Sequence, residues 1–125
     1  YIPHRHKEGY GLHKNVLEKY IKNNFTLMIT ADLGITNVDE IKYAEENGMN
    51  VILTDHHLPL YEINEIESFP IENKKEILPP AFAILNVQLA REEYANKGLC
   101  GAGTAWKLVC AFLQRYREEY GIQIG

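Results

Sequence analysis

Asp55, His56 and His57 stand in a row and combine a carboxylate with two imidazoles; Asp32 offers a second carboxylate upstream. A carboxylate oxygen with imidazole nitrogens is a donor set for Mn²⁺ or Zn²⁺, and for Mg²⁺ if further oxygens join. A pair of such ions can activate a water and clamp a phosphoryl group. In that chemistry Asp32 and His56 are the ligands, and His57 donates to a phosphate oxygen and stabilises developing charge. Plainer roles fit the same residues. An aspartate after a strand serves turns and caps, paired histidines occur in polar loops, and motifs of this kind carry false positives.

Ligand supply is a second constraint. The chain has three aspartates, Asp32, Asp39 and Asp55, and no D-x-D pair. Asp39 fits the first turn of a helix, where the dipole favours an acid. A two-metal centre needs more ligands than these. Either the site is mononuclear, or the missing ligands lie outside these 125 residues.

Two further segments have chemical potential. Gly101-Ala-Gly103 resembles the start of a phosphate loop, but Thr104 replaces the Walker A lysine and Trp106 stands where a dinucleotide fingerprint needs glycine. A tight turn feeding a helix N-terminus can still hold phosphate on its N–H groups, with Lys107 adding charge; a plain left-handed turn fits equally. Near the start, His4, Arg5, His6, Lys7, His13 and Lys14 interleave with Tyr1 and Tyr10. Basic and aromatic residues together suit single-stranded nucleic acid; a solvated polar arm is the alternative.

The elements that must position these groups follow from periodicity. Leu12, Val16, Leu17, Tyr20 and Ile21 predict a helix over Leu12–Asn23. Phe25–Thr30 reads as a buried strand, broken by Asp32-Leu33-Gly34. Asn37 with Glu40 predicts a capping box, opening a helix that buries Val38, Ile41 and Ala44 and stops at Gly48. Asn50–Thr54 is a second strand, and Pro59 forbids its simple continuation. The unit is long enough for a right-handed parallel crossover. Leu58–Pro80 is an acidic, proline-punctuated surface excursion with room for a short helix, and its Glu62–Glu76 run is a solvated face. Ala81–Leu85 is a third strand, Gly98–Gly103 a turn, and Ala105–Tyr120 a helix with Trp106, Val109, Leu113 and Tyr116 on one face. The Arg115–Glu119 charges fall on its exposed side. The fold class is α/β, a mostly parallel sheet with flanking helices. In such sheets functional groups gather at the strands' carboxyl ends, which is where Asp32 and Asp55–His57 lie.

Bulk properties set limits. The 125 residues amount to one domain or a large piece of one, and a start at Tyr1 predicts a cut or processed chain. Apolar residues make up 46%, enough for a core, and the net charge of −4 excludes a globally basic nucleic-acid binder but not a local groove. No apolar run nears the ~18 residues of a membrane span. Cys100 and Cys110 form no CxxC, which predicts two buried thiols in a reducing, cytoplasmic setting.

The ordered segments Tyr1–Arg5, Glu8–Leu12, Ile29–Asn37, Val51–Pro59, Leu78–Ile84 and Leu99–Lys107 resemble the DHH phosphoesterase superfamily over nearly the whole chain. The opening P-x-R…E-G-Y-G-L points to its RecJ-type branch of single-stranded-DNA-specific exonucleases. The resemblance implies a DHH domain, Mn²⁺ or Mg²⁺ in a two-metal centre of the full-length protein, and 5′-to-3′ release of mononucleotides in DNA repair and recombination. It implies Asp32 as a metal-bridging carboxylate, His56 as a metal ligand, Asp55 as support and His57 facing the scissile phosphate. Arg5, Gly101, Gly103 and Lys107 match its phosphate- and nucleic-acid-contacting segments. The family's D-x-D motif lies upstream of Tyr1 and a further metal-binding aspartate lies beyond Ile122–Gly125, so residues 1–125 are expected to be a partial domain, inactive alone. Leu33 stands where small or polar residues are common in the family, with little consequence expected. Two alternatives stand: a DHH branch acting on oligoribonucleotides or small phosphates, and a non-catalytic nucleic-acid-binding module.

Overall fold

The computed structural model describes residues 1–2, 11–62 and 75–121. Helix α1 spans Lys14–Lys22, strand β1 Leu27–Ala31, helix α2 Val38–Glu46 and strand β2 Asn50–Asp55. Strands β3 (Leu60–Tyr61) and β4 (Glu76–Ile77) form a short antiparallel ribbon. Strand β5 spans Ala83–Asn86 and helix α3 Gly101–Tyr120. The main sheet runs β1-β2-β5 and is parallel throughout. The α/β expectation holds, and the two strands leading to Asp32 and Asp55 are neighbours.

The core lies between α1, α2 and β2. Leu17, Ile41, Ala44, Met49, Val51 and Leu53 are buried there together. Gly48, at φ 81°, takes the left-handed conformation that ends α2 and turns the chain into β2. Glu45 ties the helix to the sheet: its Oε1 accepts the N–H groups of Val51 and Phe82, each at 2.8 Å. The far ends of β1 and β2 are locked by two threonines. The Thr54 hydroxyl donates to the Thr30 carbonyl at 2.5 Å, and Thr54 N–H donates to Thr30 Oγ1 at 3.2 Å.

Several expectations need correction. The capping box does not form: Asn37 Oδ1 accepts Leu12 N–H at 3.4 Å and its amide reaches Glu40 at 3.3 Å, so the side chain links two segments instead of capping α2. The strand expected to be buried has one open face, with Leu27 at 52% and Ile29 at 57% exposure, because the α1–α2 core takes only the alternate residues. Helix α3 begins at Gly101, earlier than Ala105, so Gly101 and Gly103 are helical and neither has positive φ. Its packing is confined to the start: Gly101 and Thr104 are its buried residues, while Trp106, Val109, Phe112 and Tyr120 are exposed. Cys100 and Cys110 are exposed free thiols, not buried ones: Cys110 lies on the part of α3 beyond its packed first turn, and Cys100 on the N-cap just outside the helix. Most of the acidic excursion, at residues 63–74, lies outside the described residues, as do His4–Tyr10. No helix among the described residues is long and apolar enough to cross a membrane.

Candidate metal centre

Each parallel strand delivers a polar group to the carboxyl edge of the sheet. β1 leads to Asp32, β2 ends on Asp55 and leads to the two histidines, and β5 ends on Asn86, which pairs in register with Asp55. Asp32 sits at φ 67°, a left-handed conformation that aspartate tolerates better than most side chains. Its N–H donates to the Thr54 carbonyl at 3.1 Å, fixing the turn to β2. Gly34, at φ 118°, then folds the loop back; a Cβ there would press on Leu53 at 3.2 Å.

That fold-back brings Ile35 N–H to Asp55 Oδ2 at 3.0 Å. The other oxygen, Oδ1, accepts the N–H of His56 at 2.7 Å and of His57 at 3.3 Å, and contacts His57 Nδ1 at 2.6 Å. The Asp55 side chain is 1% exposed. A buried carboxylate is tolerated when its oxygens are hydrogen-bonded in this way. Asp55 is therefore the hub of the loop, not a surface donor. Through Nδ1 it fixes the His57 ring and favours the tautomer with the proton on that nitrogen.

His56 turns the other way. Its Nε2 lies 3.0 Å from Asp32 Oδ1, with side-chain exposures of 32% and 57%. Asp32, His56 and His57 each offer a ligand atom, all within 4.8 Å of one another. One carboxylate oxygen and two imidazoles fit Mn²⁺ or Zn²⁺, and leave room for further oxygen ligands. Among the described residues this is a partial set for two ions. The first turn of α3 abuts Asp32, so the positive end of a 20-residue helix lies beside the carboxylate.

The sequence had singled out Asp32, Asp55, His56 and His57, and the structure brings all four together. Gly101 lies against Asp32, and Gly103 is half-buried in the same turn beside Leu99. Lys107 is exposed, its ammonium 5.6 Å from the centre of the Tyr94 ring. Arg5 falls outside the described residues. Asn86 was missed: it is buried, its amide donates to the His57 carbonyl at 2.9 Å and its oxygen accepts Gln88 N–H at 2.8 Å. Its position just past the third strand was the available signal.

The model of the DHH family, N-terminal domain, matches residues 1–124. The single-stranded-DNA-specific exonuclease RecJ of Haemophilus influenzae is 35% identical over 94% of the chain, and that of Bacillus subtilis 38% identical over 95%. The chain spans only 18% and 13% of their lengths. Among solved structures, exonuclease RecJ bound to manganese superposes with a TM-score of 0.70 at 32% identity, covering 92% of this chain and 25% of that one. The chain belongs to the DHH family.

Proposed function

We propose that this DHH-family chain forms part of the catalytic core of a metal-dependent, 5′-to-3′ single-stranded-DNA exonuclease, with Mn²⁺ or Mg²⁺ as cofactor. The observation that carries the reading is the convergence of Asp32, His56 and His57 within 4.8 Å at the carboxyl edge of the sheet. The relatives named as single-stranded-DNA-specific exonucleases support the substrate, and the manganese named for the solved RecJ structure supports the metal.

Asp32 and His56 would hold a cation. A bound divalent ion supplies charge against the developing phosphoryl oxygens and makes water at the site more acidic. The chain's own groups orient the substrate. Asp55 holds His57 by Nδ1, which directs Nε2 away from the hub and makes it the ring atom to face a non-bridging oxygen of the scissile phosphate. Arg5, Gly103 and Lys107 are proposed contacts to neighbouring phosphates. The remaining ligands of a two-metal centre are proposed to lie outside residues 1–125, making this a partial DHH domain.

Full-length protein tests the reading on long 5′-labelled single-stranded DNA and on dinucleotides, with Mn²⁺ binding measured separately. Long DNA should be degraded from the 5′ end. Asp32→Asn and His56→Ala should lose Mn²⁺ affinity and activity together. His57→Ala should lower kcat about 10²- to 10³-fold with Mn²⁺ affinity retained. Cleavage of dinucleotides alone would favour the oligoribonucleotide branch, and His56→Ala without effect on activity or metal content would favour a binding module.

A further inference from the structure

We propose that Gly101 is a positioning residue for Asp32: its lack of a side chain is what lets the first turn of α3 seat against this carboxylate. The inference rests on the reading of Asp32 as a metal ligand. A Cβ at Gly101 would overlap Asp32 Oδ1 and lie 2.5 Å from both Asp32 Cβ and Cγ. Rotating the Asp32 side chain moves Oδ1 and Cγ but leaves Cβ in place, because Cβ is fixed by the backbone. That backbone is held in turn, at φ 67° and by the 3.1 Å bond from Asp32 N–H to the Thr54 carbonyl. A methyl group at Gly101 must therefore displace either α3 or the turn that carries Asp32. Either shift disturbs the 3.0 Å spacing between Asp32 Oδ1 and His56 Nε2.

Local structure gives no other reason for glycine here. Gly101 is helical, without positive φ, and alanine is the better helix former. Gly103 differs, since its Cβ would meet Leu99 Cδ1 at 2.6 Å, the tip of a flexible side chain that can turn aside. The geometry thus gives Gly101 a role distinct from the phosphate contact expected of a glycine-rich turn: it keeps a ligand in place.

The test uses full-length protein, with Mn²⁺ binding by isothermal titration calorimetry without DNA and thermal unfolding in Mn²⁺-free buffer. Gly101→Ala should weaken Mn²⁺ binding about 10- to 100-fold, the usual loss when a ligand's support is removed, and should lower Tm. Adding Gly101→Ala to Asp32→Asn, which keeps Cβ, should cost the same drop in Tm. Adding it to Asp32→Gly, which has no Cβ and accepts positive φ, should cost little. A drop of equal size in the Asp32→Gly background would overturn the proposal, as would wild-type Mn²⁺ affinity in Gly101→Ala. Should Gly101→Ala fail to fold, a folded Asp32→Gly/Gly101→Ala double variant supports the contact and an unfolded one refutes it. Unchanged Mn²⁺ binding in Asp32→Asn would instead sink the ligand reading itself, whatever the Tm coupling shows.

Discussion

Replacing Asp55 by asparagine would remove a charge and keep the shape, yet the surroundings leave the amide no good orientation. One oxygen faces His56 N–H, His57 N–H and His57 Nδ1, and the other faces Ile35 N–H. Whichever way the side chain turns, its NH₂ meets a buried donor. Asp55→Asn should therefore destabilise nearly as much as Asp55→Ala, by about 2–4 kcal/mol, given ~1–3 kcal/mol per buried group left unpaired. Urea unfolding of full-length protein reads this; an asparagine variant as stable as wild type would refute the hub role. Asp32→Asn should differ. The side chain is 57% exposed, and asparagine accepts left-handed backbone as aspartate does, so stability should stay within about 0.5 kcal/mol while Mn²⁺ binding falls. The two aspartates look alike in the sequence, since each follows an apolar run. What separates them is burial, and Asp55 is buried because Gly34 folds Ile35 back over it. That is a tertiary event which local spacing does not encode: spacing marked which residues meet, and only the family resemblance pointed to Asp55 as the one that supports the others.

At the scale of elements, the crossover from β1 through α2 to β2 was legible because its apolar residues fall at periods of two and 3.6 and because Gly48 marks the helix end. Two features were not. A run of consecutive apolar residues reads as buried on both faces, but β1 is covered on one. Glycines argue against helix, but Gly101 and Gly103 lie inside α3; at Gly101, close packing against Asp32 outweighs propensity. Glu45 was silent as well, being one acid among several on an amphipathic helix. Its Oε1 receives Val51 N–H and Phe82 N–H at the amino ends of β2 and β5, at the opposite end of β2 from the candidate centre. Glu45→Ala should speed hydrogen exchange at those two amides and cost about 1–2 kcal/mol. Glu45→Gln, which keeps the acceptor oxygen, should cost less. Mn²⁺ affinity should be unchanged in both, since the loops around Asp32 and His56 are held by Thr30, Thr54 and Asp55 instead.

At the scale of the molecule, the described residues hold the supports of a centre more completely than its ligands. Asp55, Asn86, Thr54 and Gly34 are buried and bonded within the fold, so the geometry of the Asp32–His56–His57 group is set locally. The proposed ligands Asp32 and His56 supply one carboxylate and one imidazole, with His57 within 4.8 Å of them, and two adjacent cations need more negative oxygen than that to offset their charge. Apolar surface tells a similar story: Ile29, Trp106 and Phe112 are 57%, 62% and 64% exposed, and a groove of about 420 Å³ runs beside β1, lined by Leu27, Ile29, Val16 and Tyr20. An open apolar groove of this kind is a surface that a further segment or a partner can cover. The 125-residue chain expressed alone should therefore bind Mn²⁺ far more weakly than full-length protein and show little or no digestion of single-stranded DNA. Calorimetry and a nuclease assay on both proteins side by side check this. If the short chain matched the full-length protein in Mn²⁺ affinity, a complete centre would have to be built from Asp32, His56 and His57 alone; if it also degraded DNA at the same rate, the proposal that further ligands lie outside residues 1–125 would fail.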